Sequence, residues 1–258
     1  MEQEKHQKFL KHLEKALSEK DSHNSWALTY EEEVAAVNYQ APELLAETAL
    51  KLKASGNYLD VGCGTGLVGE VIIRRQKENL YIDGCDISQE MLKVAEQKGI
   101  YRMLTCCNIF EMPYPDSSYD IVISAGVFVS NEDNRKSGSA NSQALPTIIR
   151  VLKPSGYCVF SVSARVWESD SRDYERVISQ LPANLIQKLE QPYHDAIPKR
   201  SQPTPNPSGG GEVSRTESGG ERITKINVVM AIEDFFYVQL NGFDIMRSHE
   251  KQVGCSIL

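Results

Sequence analysis

Tyr58-Leu59-Asp60-Val61-Gly62-Cys63-Gly64-Thr65-Gly66 is an apolar run that enters three glycines spaced two apart, and the helical pattern Leu67-Val68-Gly69-Glu70-Val71-Ile72-Ile73 follows at once. A strand, a tight glycine turn and a helix N-terminus in this order let backbone approach a ligand where a Cβ would collide. Twenty residues past Gly66 the next short apolar run, Leu80-Tyr81-Ile82-Asp83-Gly84-Cys85-Asp86, ends in an acid. A carboxylate at the tip of a neighbouring strand is placed to accept hydrogen bonds from a ribose. The stretch reads as a pocket for a nucleoside-bearing cofactor.

Two cofactor classes and a bare turn compete for those glycines. Gly64-Thr65-Gly66-Leu67-Val68-Gly69 formally matches G-x-G-x-x-G, the dinucleotide fingerprint, which is weak evidence alone. In a dinucleotide fold the first glycine of the match follows the strand directly, whereas here Gly62 and Cys63 already occupy the turn. Asp60 also stands near the strand's end, where a dehydrogenase keeps an apolar residue. A carboxylate there suits a cationic ligand such as S-adenosylmethionine, whose sulfonium and ammonium it attracts at close range. Asp60 can equally bond the turn's own amides, and both roles are compatible.

The following segments repeat the alternation. Ser88 can cap a helix from Gln89 to Lys98 with Met91, Leu92 and Ala95 as its apolar stripe. Tyr101 to Asn108 reads as a third strand, Met112 to Ser118 as a turn, and Tyr119 to Gly126 as a fourth strand. Ser142 can start a helix from Gln143 to Leu152 that tolerates Pro146 in its first turn. Lys153-Pro154-Ser155-Gly156 breaks it before a fifth strand, Tyr157 to Val162. Strands alternating with helices imply a parallel sheet covered on both faces.

The ordered set Leu59 to Gly66, Asp86-Ile87-Ser88, Pro113 to Asp120 and Arg150 to Gly156 resembles a class I S-adenosylmethionine-dependent methyltransferase. Within that class it is similar to the methyltransferase-like subgroup of the Williams–Beuren syndrome region, which Trp26 to Tyr30 and Tyr39 to Pro42 also fit. The resemblance spans about Trp26 to Arg165. It implies an α/β, doubly wound, mostly parallel seven-stranded sheet with helices on both faces; the short C-terminal stretch departs from it, either as an abbreviated last hairpin or as an atypical C-terminal part. It also implies the cofactor, S-adenosyl-L-methionine, and its subsites. Gly62, Cys63, Gly64, Thr65 and Gly66 cradle the amino-acid portion while Asp60 supports its ammonium. Asp86 takes the ribose hydroxyls, and Ile87 and Met91 flank the adenine. Asn108 stands where an acid is common, with Ile109 beside it, and its amide oxygen can accept from the adenine amino group. Ser124 to Gly126 lies along the methionine moiety.

Length and charge narrow the partners. The 258 residues suffice for one α/β domain with appendages, and 41% hydrophobic content is ordinary. A net charge of −7 and a pI near 5.4 argue against a large nucleic-acid surface, which needs clustered Lys and Arg. Arg74-Arg75-Gln76-Lys77 sits at a helix end, where cations favour the dipole. No apolar run approaches the ~18 residues of a membrane span, and the N-terminus is charged rather than signal-like. The six cysteines lack metal-ligand spacing, and vicinal Cys106-Cys107 are unsuited to a framework bridge, so reduced thiols in cytoplasm or nucleus are expected.

Four regions are expected: a helical lid over 1–55, the cofactor-binding core over 56–198, a disordered linker over 199–222 and an atypical C-terminal segment over 223–258. Phe9, Leu10, Leu13 and Leu17 lie at helical spacing, and Asp21 to Ser25 is a polar break. Glu31–Tyr39 and Glu43–Lys53 read as two helices parted at Pro42. By the resemblance this region closes over the cofactor, which makes Trp26, Tyr30 and Tyr39 lid candidates. An aromatic ring against a sulfonium gains roughly 0.5–2 kcal/mol. After a polar stretch, Tyr174 to Leu189 reads as a helix disturbed at Pro182. Phe243 to Arg247 and Val253 to Leu258 are candidates for the last two strands.

Methyl transfer from a sulfonium is an in-line displacement, to which positioning contributes ~7–11 kcal/mol. It needs no metal, and the sequence offers no ligand cluster. The fourth strand ends in Ser-Ala-Gly rather than the Asn/Asp-Pro-Pro-Tyr/Phe pattern of adenine or amide nitrogen methylation, and no Pro-Cys nucleophile appears. A small molecule or a protein side chain is the expected acceptor. Tyr39, Glu132, Asp133, Tyr193 and His194 are candidate bases, none assigned as catalytic. A cofactor-binding regulatory protein without catalysis is the alternative, motivated by Asn108 and the C-terminal segment.

Overall fold

The computed structural model describes residues 7–8, 11–12, 24–36, 38–76, 78–129, 139–162, 164–181, 183–187 and 236–240. Two helices, α1 (Tyr30–Ala36) and α2 (Ala41–Leu52), precede β1 (Gly56–Val61). Then come α3 (Leu67–Arg75), β2 (Leu80–Asp86), α4 (Gln89–Gln97), β3 (Met103–Cys106), β4 (Tyr119–Phe128), α5 (Leu145–Val151), β5 (Leu152–Val162) and α6 (Ala164–Gln180). Two short strands, β6 (Ala183–Gln187) and β7 (Phe236–Leu240), complete a seven-stranded sheet ordered β3-β2-β1-β4-β5-β7-β6. The first five strands of that order pair in parallel, and β7 lies antiparallel between β5 and β6.

The central strands are apolar on both faces because helices cover both. Tyr58, Leu59 and Val61 of β1, Ile121, Val122 and Ile123 of β4, and Cys158, Val159 and Phe160 of β5 are all buried. Each fully buried aliphatic side chain contributes roughly 1.5–3 kcal/mol. Strand order reverses between β1 and β4, and a crevice forms outside the carboxyl ends of strands at such a reversal. At the opposite edge Asp120 accepts from the Asn57 N–H at 2.9 Å and pairs with Lys53 and Lys153, each at 2.8 Å. These contacts join the start of β1 to β4 and β5. Arg150 donates to the carbonyls of Met112 at 2.8 Å and Tyr114 at 2.7 Å, fixing the turn before β4.

The N-terminal helical region packs on α4. Trp26, Ala27, Val34 and Met91 form an apolar cluster of their own. The buried Glu33 carboxylate accepts from Trp26 Nε1 at 2.8 Å and pairs with His12 at 2.9 Å and Lys8 at 3.3 Å.

Several expected boundaries move. The fifth strand starts at Leu152 rather than Tyr157, because Ser155 adopts φ +64° and lets the chain continue as an irregular strand. Asn141, not Ser142, is the capping side chain, accepting from Gln143 N at 3.1 Å before a single 3-10 turn. The helix expected from Tyr174 begins at Ala164, since Val166, Tyr174, Val177 and Ile178 share one buried face. It stops before Pro182, and β6 occupies residues expected to be helical. Phe236–Leu240 forms an antiparallel strand that the sequence reading did not single out, while Phe243 to Arg247, Val253 to Leu258, the 199–222 linker and Phe9, Leu10, Leu13 and Leu17 lie outside the described residues. Among the described residues no helix is long and apolar enough to cross a membrane, and no cluster of His, Cys, Asp or Glu could hold a metal.

Candidate functional site

The three glycines of the turn have different reasons to be glycine. All have positive φ, +69° at Gly62, +53° at Gly64 and +92° at Gly66. A Cβ on Gly62 would stand 2.2 Å from Val127 of β4, and one on Gly66 would stand 3.0 Å from the Tyr101 ring. A Cβ on Gly64 would meet nothing within 4 Å. Gly62 and Gly66 therefore serve packing within the protein, and Gly64 borders open space. Gly69, the third glycine of the formal dinucleotide match, lies inside α3, where a Cβ would come within 2.6 Å of the Tyr101 hydroxyl. Its smallness answers to a neighbouring side chain.

Two carboxylates bracket that turn. Asp86 Oδ2 accepts from the Gly64 N–H at 2.9 Å, and Oδ1 accepts from the Ser88 N–H at 2.8 Å. The acid at the tip of β2 thus fixes the glycine turn and the start of α4 together. Asp60 is fully buried at the end of β1. Its Oδ2 accepts from the Tyr101 hydroxyl at 2.7 Å, while Oδ1 has no hydrogen-bond partner among the described residues. Burial raises its pKa to about 7, against the Tyr101 bond and the Gly69 backbone N–H and with a smaller push from Asp86. Thr65 Oγ1, also fully buried, is likewise without a partner. Two unsatisfied buried oxygens beside an open glycine suit a polar, cationic ligand, because such groups cost free energy until paired.

The remaining site residues are placed as follows. Cys63 turns its thiol toward Gly84, and burial followed by Asp60 raises its pKa well above the usual thiol range. Ile87 is half-buried beside Asp86. Met91, expected against adenine, is covered by the lid cluster with Trp26. Asn108 caps the turn Ile109–Glu111, its amide oxygen accepting from the Phe110 N–H at 3.0 Å, and Ile109 is buried in the main core. The Ser124 hydroxyl is fully buried and donates to the Val61 carbonyl at 2.9 Å, so that side chain braces β1 against β4.

Two aromatics of the N-terminal helical region come next. Tyr30 packs edge-on against Trp26 with centroids 5.0 Å apart, and burial and the Asp86 charge push its phenol pKa up. The Tyr39 hydroxyl lies 2.5 Å from where a Cβ of Gly126 would be, over the carboxyl end of β4. Asn24, read from sequence as part of a polar break, accepts from the Ser88 hydroxyl at 2.7 Å and ties the N-terminal region to the start of α4. Neither Asn24 nor Tyr101 stood out in the sequence: one is a lone amide, the other an aromatic assigned to a strand. Glu132, Asp133, Tyr193 and His194 lie outside the described residues.

This strand order, with β1 entering a glycine turn, β2 ending in a carboxylate and helices above both, defines the class I S-adenosylmethionine-dependent methyltransferase fold. Residues 52–203, more than half of the chain, match the family model described as a methyltransferase domain, and the chain belongs to that family. It is 31% identical over 140 residues to human methyltransferase-like protein 27, covering 52% of this chain and 53% of that one. It is 28% identical over 117 residues to the Arabidopsis thaliana tRNA (carboxymethyluridine(34)-5-O)-methyltransferase, covering 45% and 25%. With the ubiquinone/menaquinone biosynthesis C-methyltransferase UbiE of Paraburkholderia phymatum it shares 26% over 122 residues, covering 45% and 47%. The chain spans about half or less of the length of these relatives. A solved complex between the Haloferax volcanii Trm112 methyltransferase activator and a methyltransferase contains a chain similar in fold. Its TM-score is 0.60 at 13% identity, covering 89% of this chain and 100% of that one.

Proposed function

We propose that this chain binds S-adenosyl-L-methionine across the carboxyl ends of β1, β2 and β4 and transfers its methyl group to a small molecule. The observation that carries the reading is the open space at Gly64, whose N–H is held by Asp86, in the turn that follows the buried Asp60 carboxylate with its unpaired Oδ1. When bound, the cofactor supplies an electrophilic methyl carbon on a sulfonium. Asp60 and the Gly64–Thr65 turn would hold its amino-acid portion, Asp86 its ribose, and Ile87 with the Asn108–Ile109 segment its adenine. The carboxylates of Asp60 and Asp86 favour a cation in a site of low dielectric. Tyr30 and Tyr39 would exclude water above it, and the segment Ser124–Gly126 forms the floor at the transfer point.

A small acceptor is supported by the acidic chain and by Ser-Ala-Gly near the end of β4. Relatives named for tRNA and for quinone biosynthesis make the acceptor the property to test. Incubation with methyl-labelled cofactor and separated lysate fractions should label the small-molecule fraction. Label confined to RNA or to protein would refute that choice and keep the cofactor assignment.

A further inference from the structure

Tyr101 stands just ahead of β3, at the end of the loop leaving α4, and its side chain reaches back beneath the glycine turn. Its hydroxyl donates to Asp60 Oδ2 at 2.7 Å. Its ring fills the space that three glycines leave open: Cβ atoms on Gly66, Gly69 and Gly84 would stand 3.0, 2.6 and 3.0 Å from Tyr101 atoms. Those glycines belong to the turn, to α3 and to β2, so three separate elements are hollowed around one phenol. An aromatic that only filled volume would not need a hydroxyl at this depth. This hydroxyl has a partner, and the partner is the carboxylate at the cofactor's expected ammonium.

We propose that Tyr101 is a positioning residue for the amino-acid portion of the cofactor, holding Oδ2 of Asp60 so that Oδ1 is left as the acceptor offered to the ligand's ammonium. The assignment deepens the cofactor reading above and rests on it. The geometry supplies the reason: a carboxylate with one oxygen fixed by a neutral donor cannot rotate, and its other oxygen keeps one direction. The chemistry supplies a second reason. Tyr101's own pKa is driven well above the usual phenol range by burial and by Asp60, so the hydroxyl stays a proton donor. Donation to a carboxylate favours its charged form, which is the form an ammonium needs. The titratable groups facing Asp60 are Tyr101 from the segment before β3, Asp86 from the end of β2 and Cys63 from the turn. Asp86 opposes its ionisation, Cys63 stays a neutral thiol in that pH range, and Tyr101 with the Gly69 backbone N–H favours the charged form.

The test is calorimetric titration of the full chain and its Tyr101→Phe variant with S-adenosylhomocysteine and with 5′-methylthioadenosine, which has the adenosine and thioether but no amino-acid portion. Phenylalanine keeps the ring and removes only the donor. Affinity for S-adenosylhomocysteine should fall about tenfold at pH 6.5 and recover toward wild type at pH 8.5, because Asp60 then needs about one more pH unit to ionise. Affinity for methylthioadenosine should not change at either pH. A second variant, Gly69→Ala, keeps ordinary helical backbone but puts a methyl group against the hydroxyl, and should weaken the same ligand with the same pH dependence. Equal loss of both ligands, or unchanged S-adenosylhomocysteine binding at pH 6.5, would overturn the positioning role. Wild-type protein that bound neither ligand would overturn the cofactor reading itself.

Discussion

Replacing Asp60 by asparagine separates the needs of the fold from those of the ligand. The carboxyl has its pKa raised from 3.8 to about 7, chiefly by burial, with Asp86 adding to the rise and Tyr101 opposing it. Because the folded value lies above the unfolded one, between about pH 4 and pH 7 the folded chain keeps a proton that the unfolded chain has released. Stability therefore falls as pH rises through that window. At 1.36 kcal/mol per pH unit, a gap of about three units destabilises the fold by up to about 4 kcal/mol above pH 7. Asparagine keeps an oxygen for the Tyr101 hydroxyl and removes the charge, but its buried amide nitrogen lacks an acceptor, which costs about 1–3 kcal/mol. The net expectation at pH 8 is a gain of about 1–3 kcal/mol, or about 3–9 °C in Tm for a chain of this size. At pH 5, where the wild-type carboxyl is already neutral, the variant should gain nothing. Differential scanning calorimetry at both pH values reads this directly. With saturating S-adenosylhomocysteine the variant's advantage should shrink by about 1.4 kcal/mol or more, since loss of the charge-assisted bond weakens binding about tenfold or more. A variant equally destabilised at pH 5 and pH 8 would refute the reasoning, because the carboxylate would then be satisfied within the fold.

Asp86→Ala removes the acceptor for the Gly64 and Ser88 amides as well as the proposed ribose contact. Cofactor affinity should fall about ten- to 150-fold by calorimetry, and unchanged binding would mean the ribose lies elsewhere. Gly64→Val fills the open space and forces a branched side chain to φ +53°, so binding should be abolished, while Glu212→Ala should change neither binding nor Tm. Asp120, held near pKa 2 against burial by Lys153, Lys53 and the Asn57 amide, contributes stability above about pH 4 that is lost as pH falls through 2. Asp120→Ala should cost about 2 kcal/mol at pH 7 in urea denaturation and nothing at pH 2.

The central sheet was readable because strand, glycine turn, acid and capped helix each leave a local mark. Leu80–Asp86 and the Ser88 cap fall where the pattern put them, the cap accepting from Met91 N at 3.2 Å. The division of labour among Gly62, Gly64, Gly66 and Gly69 was not readable. It depends on Val127, 65 residues from Gly62, and on Tyr101, 35 and 32 residues from Gly66 and Gly69, which announce nothing by spacing. Met91 and Ser124 show the same limit: a residue on the right element can face the lid or brace a strand. Ser155 and Pro182 moved the ends of β5 and α6 for backbone reasons that apolar periodicity does not carry.

The binding expectations require a sulfonium cofactor seated at the two aspartates, and titration of the purified chain with its product S-adenosylhomocysteine tests that most directly. Saturable one-to-one binding in the micromolar range, abolished by Gly64→Val, is the predicted result. A folded, monodisperse wild-type chain that showed no heat at millimolar ligand would contradict it.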